Sequence, residues 1–218
     1  MVVHTLIGPV PVALADALTW ASYAVALLCV IPLCITTLRH ETDPPPATWG
    51  TWAAAGIVGS AGMAMAGAVP AAWGLKLALS IGPLALAICA RIAGVPWVVR
   101  KADRVCLALA GVGLVFLLFG EGLTAMWLAI AVNIIGSIPT CLHALRHPDR
   151  ARYFPFACAF GSVGAVVLFA IPVPWTVASV AYPLYLLIDC GAIMLCIAIG
   201  RARARRVDVG RQSGEALV

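Results

Sequence analysis

Trp20–His40 reads WASYAVALLCVIPLCITTLRH, and Trp127–His147 reads WLAIAVNIIGSIPTCLHALRH. Set against each other without a gap, they lie 107 residues apart and agree at nine of twenty-one positions. The agreements are Trp20/Trp127, Ala24/Ala131, Val25/Val132, Ile31/Ile138, Pro32/Pro139, Cys34/Cys141, Leu38/Leu145, Arg39/Arg146 and His40/His147. Apolar composition alone would match Ala, Val and Ile. It would not bring a Trp, a Pro, a Cys and a Leu-Arg-His ending into register. The same offset aligns Ala71/Ala178, Leu77/Leu184, Leu79/Leu186, Ile81/Ile188, Ala85/Ala192, Cys89/Cys196 and Ile92/Ile199. A repeated bundle is a common plan for transporters, with the solute site where the repeats meet.

Composition sets the solvent. Of 218 residues, 63% are hydrophobic and 11% charged, and mean hydropathy is +1.03. A soluble domain of this length has too little interior to hide that much apolar surface, so the remaining solvent is lipid. The net charge of +5 does not point to nucleic acid, because most basic residues fall in loops and the tail. The eight cysteines sit inside apolar runs, with no CxxC and no Cys/His spacing suited to a metal, and read as small packing residues. The N-terminus carries no basic n-region, so no cleaved signal peptide is expected.

An α-helix needs about 20 largely apolar residues to cross the hydrocarbon. Seven segments approach that length: 12–38, 49–68, 71–92, 104–120, 123–145, 154–172 and 176–199. Pro44, Pro45 and Pro46 break the chain after the first. The expected fold is therefore an all-α integral membrane protein of seven transmembrane helices. It divides into a three-helix repeat over 12–92, a linking helix and loops over 93–121, a second three-helix repeat over 122–199, and a basic tail over 200–218. The odd linking helix makes the two repeats parallel, a 3-1-3 plan. Arg39, Arg100, Lys101, Arg104, Arg146, Arg150 and Arg152 follow spans one, three and five, and five more arginines lie in the tail. The opposite turns hold only Glu121. The positive-inside rule puts the N-terminus outside and the tail in the cytoplasm, in a plasma (inner) membrane. The tail itself reads as disordered, a topology anchor within reach of anionic headgroups.

This plan resembles the SWEET and PQ-loop transporters. The residues that carry the likeness are Pro32-Leu33 with Arg39 and Pro139-Thr140 with Arg146, each followed by a polar loop and another span. The likeness covers about residues 12–199. Leu33 and Thr140 stand where the family carries the glutamine of its Pro-Gln pair, which marks a divergent, bacterial-type member. The resemblance implies movement of a small polar solute, sugar-like or amino-acid-like, by alternating access, with Pro32 and Pro139 as hinges. A static kink is the plainer alternative for both prolines.

Asp189 stands near the middle of the seventh span, where a carboxylate costs roughly 2.5–3.5 kcal/mol to insert, so it is expected to face the interior. The resemblance implies a solute contact there, as relatives place a polar amide on this helix. Asn133 lies at similar depth on the fifth span, as a solute contact or an interhelical bond. Asp16 and Lys76, near the outer ends of spans one and three, offer opposite charges for an outer latch; otherwise Lys76 snorkels. Tyr23, Ser80, Tyr182 and Tyr185 are further candidates for a cavity wall. Trp49, Trp73, Trp97 and Trp175 fit interfacial belts. Gly56, Gly59, Ser60 and Gly62 read as a close-packing face.

No catalytic residue, metal or cofactor is expected, since the chain lacks HExxH, GxSxG and P-loop motifs. A retinal protein needs a lysine in the last span, and the only lysines are Lys76 and Lys101. The expected partners are a small polar solute and the bilayer, and a homo-oligomer is allowed. The competing class is a non-transporting scaffold or accessory subunit that keeps the fold without the pocket.

Overall fold

The computed structural model describes residues 2–5, 8–28, 30–42, 44–146, 148, 154–169 and 176–215, the side chains of 2–12, 154, 156 and 205–215 excepted. It opens with an antiparallel hairpin, β1 (Val2–Thr5) and β2 (Gly8–Pro11), with Val2 opposite Pro11. Among the described residues eight helices follow: α1 (Val12–Leu28), α2 (Ile31–Leu38), α3 (Pro46–Met65), α4 (Pro70–Ile92), α5 (Lys101–Leu118), α6 (Gly122–Arg146), α7 (Phe154–Phe169) and α8 (Val177–Glu215).

Within the described residues each expected apolar span is largely helical, and local chemistry sets the ends. Pro46 and Pro70 stand at first positions, where a missing N–H is harmless. Gly94 ends α4 at φ +80°, a left-handed conformation that favours glycine. In the first span α1 and α2 flank Cys29, which lies outside the described residues. Pro32 stands in the first turn of α2, where a missing N–H is harmless, and the Cys34 N–H bonds to the Val30 carbonyl at 2.9 Å. Pro139 lies inside α6, which runs continuously through it. The tail also departs from expectation. Rather than being disordered, residues 201–215 continue α8, consistent with the high helix propensity of Arg and Ala.

Among the described residues four segments are long and apolar enough to cross a membrane: Ala13–Leu38, Pro70–Ile92, Gly122–Arg146 and Val177–Ala204. Large apolar side chains cover the outside as well as the core: Trp20 is 71% exposed and Ile188 64%, while the charged Lys76 and Asp103 are buried. An outer surface rich in large apolar side chains suits lipid as the solvent. The chain is a helical membrane protein.

α4 packs against α1 and α2 on one side and α3 on the other, while α8 packs against both α6 and α7. The two groups meet where α3 crosses α6 and where α1 meets α7; α5 lies against α3 and α6. Asp103 fixes the start of α5, accepting from the Arg100 N–H and the Thr48 hydroxyl of α3, both at 2.8 Å. At the α3–α6 crossing the backbones touch: a Cβ on Gly62 would sit 2.7 Å from the Gly122 carbonyl oxygen. The main core gathers at the end of the bundle holding the α3–α4 turn, with Met63, Ala72, Leu75, Met126, Leu168 and Tyr182 packed together. At that end the Val69 N–H donates to the Ser179 hydroxyl at 3.2 Å, joining α4 to α8.

Candidate functional site

Below that core a cavity of ≈150 Å³ opens among α2, α3, α4, α6, α7 and α8. Two charged side chains line it, Lys76 from α4 and Asp189 from α8. Asp189 lies twelve residues beyond Val177, about 18 Å along the helix and near half of the roughly 30 Å hydrocarbon thickness. Its carboxyl is within hydrogen-bonding reach of Ser137 and of Tyr185, one turn back on the same helix. The Ser137 hydroxyl also lies 2.9 Å from the Asn133 carbonyl. Its one proton serves the carbonyl or the carboxylate, not both at once.

Lys76 is 3% exposed. Its Nζ lies 3.9 Å from the centroid of the Tyr182 ring, an attraction that strengthens away from water. The ammonium and the Asp189 carboxylate attract each other across the pocket. This corrects the expected Asp16–Lys76 latch. Asp16 is exposed on α1, whereas Lys76 belongs to the α4 face that carries Leu79, Ser80 and Pro83 into the cavity. A buried ammonium there neither snorkels nor reaches the outer end of α1.

Asp189, Asn133, Ser80 and Tyr185 all line the pocket. The Ser80 hydroxyl is committed as a donor to the Lys76 carbonyl at 2.7 Å, so it offers a ligand only an acceptor. Tyr23 does not line the pocket. Its hydroxyl donates to the Pro70 carbonyl at 2.8 Å, and its ring covers Gly74. Replacing it by phenylalanine is expected to lower stability by about 1 kcal/mol without changing solute handling, as thermal unfolding and uptake measured together would reveal. Pro32 is half-buried and Pro139 exposed, and neither lines the cavity. His147 lies outside the described residues.

Sequence reasoning missed three contributors. Trp49 and Trp52 pack edge to face at 5.0 Å and form the α3 wall. Trp49 had fitted an interfacial belt, and only the fold brings it inside. The Trp52 indole leans on Gly136, which explains a glycine in α6. Ser137 gave one legible signal, its place 107 residues after Val30, which also lines the cavity. Leu79/Leu186, Gly82/Asp189 and Pro83/Cys190 repeat that relation, each pair 107 apart and both members on the wall.

The offset reappears in the thiols. Cys34 lies within hydrogen-bonding reach of Cys89, and Cys141 of Cys196; the two contacts map onto each other by the same 107 residues. Among the described residues no three His, Cys, Asp or Glu side chains gather to hold a metal ion. Comparison with protein-family models, with curated proteins and with solved structures yields no match to this chain.

Proposed function

We propose that the chain is a seven-span, SWEET-like carrier with two parallel three-helix repeats joined by α5, moving a small polar solute through the Lys76–Asp189 pocket by alternating access. The observation that carries this is the pocket itself. A cavity faced by two opposite charges deep in a lipid-embedded bundle is expensive to maintain and marks a solute path by default. Its place supports the repeat plan. The third helix of each group packs on the other two, the groups cross at the equivalent contacts α3–α6 and α1–α7, and four wall pairs obey the 107-residue offset. Transporter sites of this kind lie at the repeat interface.

The closed end is the one holding the α3–α4 turn, which carries no Arg or Lys; the arginine-rich loops are at the other. With positive charge inside, the N-terminus is outside and this conformation is closed to the exterior. No nucleotide, metal or catalytic group takes part. The scaffold reading draws on Leu33 and Thr140 in place of the family's glutamines, and on the absence of a charge at Gly82, the mate of Asp189. Uptake of a panel of radiolabelled sugars and amino acids into proteoliposomes tests transport. Saturable uptake of any solute supports it, and none by well-folded protein supports the scaffold.

Alternating access requires α2 and α6 to shift against α4 and α8. A short bifunctional thiol reagent bridging Cys34 to Cys89, or Cys141 to Cys196, is therefore expected to cut uptake at least about tenfold. Mass spectrometry identifies the bridged peptides, and variants with one serine per pair should escape. Bridged protein with full uptake would remove the hinge from the proposal.

A further inference from the structure

The two charges in the pocket also bear on what it accepts. Lys76 and Asp189 come from different helices, and each is held by a partner of its own. The ammonium lies over the Tyr182 ring, and the carboxyl is tied to Ser137 and Tyr185. The other lining side chains are neutral, so the pocket as a whole carries no net charge. At this depth a solute with a single charge would leave one unit uncompensated in a medium that does not tolerate it. A neutral polyol would spend its hydroxyls on the weaker donors and leave the charge pair unused. A solute with one carboxylate and one ammonium meets both charges with opposite signs and leaves the site neutral.

Size points the same way. An apolar cavity of this volume holds a molecule on the order of six non-hydrogen atoms, and this one is ≈150 Å³. That suits the smallest amino acids and is tight for a hexose, which has twice as many. We infer that the pocket selects a small zwitterionic amino acid, its carboxylate directed to Lys76, its ammonium to Asp189, and its side chain toward Trp49 and Trp52. The inference rests on the carrier reading above and narrows it.

The test is transport by the full-length protein in proteoliposomes, read as uptake of labelled L-alanine, L-serine and D-glucose. Competition against L-alanine uses L-alaninamide, which lacks the carboxylate charge, and N-acetyl-L-alanine, which lacks the ammonium. Saturable L-alanine or L-serine uptake is expected, with each analogue competing about thirty-fold or more less well than unlabelled L-alanine. Lys76→Met is expected to weaken L-alanine about thirty-fold while narrowing the gap to L-alaninamide, which never had a carboxylate to lose. A structural lysine would weaken both alike. The analogue series on the wild-type protein decides the matter even where the variant does not fold. D-glucose uptake, or analogues competing as well as L-alanine, would overturn the zwitterion inference while leaving the carrier standing. Absence of uptake of every solute would overturn both.

Discussion

Asp189→Ala protein, inserted and folded like the wild type, is expected to lose about a hundred-fold or more of its solute uptake in proteoliposomes. The substitution removes the one carboxylate on the cavity wall. It also strands the Lys76 ammonium across the pocket and takes an acceptor from Tyr185, while the Ser137 hydroxyl keeps the Asn133 carbonyl. Removing one partner of a buried charge pair costs about 2–5 kcal/mol, much of it from the charge left behind. Asp189→Asn keeps the shape and the hydrogen-bonding groups but not the charge, so it also leaves the Lys76 ammonium unpaired. It should fold better than the alanine variant and still lose most of the uptake. Thermal unfolding beside uptake separates a lost site from a lost fold, and unchanged uptake by either variant would remove Asp189 from the solute path.

The largest structural effect is expected at Gly62. A Cβ there meets the Gly122 carbonyl oxygen at 2.7 Å and the Met126 N at 2.9 Å. Both are backbone atoms of α6, so no side-chain rotation relieves the clash. Overpacking a core ordinarily costs about 1–3 kcal/mol; here the helices must separate, and Gly62→Val is expected to exceed that range and yield aggregated protein by size-exclusion chromatography. Gly111→Ala is the control. Nothing lies within 4 Å of its Cβ position, and alanine favours the helix by up to about 1 kcal/mol. A monodisperse Gly62→Val protein with an unchanged melting temperature would refute the tight α3–α6 crossing.

Much of this was legible in the sequence, and the failures share causes. The helices were readable because a run of about 20 apolar residues is long enough to cross the hydrocarbon as a helix, and among the described residues four are long and apolar enough to do so. Asp189 and Asn133 were readable as interior residues, since a polar group at mid-membrane depth is expected to turn away from lipid, and both line the cavity. Direction around the helix axis was not. A helix surrounded by lipid and other helices is apolar on nearly every face, so periodicity does not say which way Lys76 points. Depth alone suggested Asp16 as its partner, whereas the packing of α4 against α8 turned it to Asp189. Trp49 and Tyr23 were exchanged for the same reason: both lie near a span end, and only the fold separates a wall from a buttress. Pro32 and Pro139 look alike in sequence, yet Pro32 stands in the first turn of α2 and Pro139 inside α6.

Solvent access to Cys190 tests the central claim most directly. This thiol lines the pocket beside Asp189, and the other seven cysteines can be replaced by alanine or serine after uptake is verified. Membrane-impermeant thiol reagents of small size are applied separately to the two faces of vesicles with known protein orientation. Alternating access predicts labelling from both faces, slowed by transported solute. A Cys190 that reacts from neither face, or from the cytoplasmic face alone with no effect of any solute, would contradict a carrier and leave a closed scaffold.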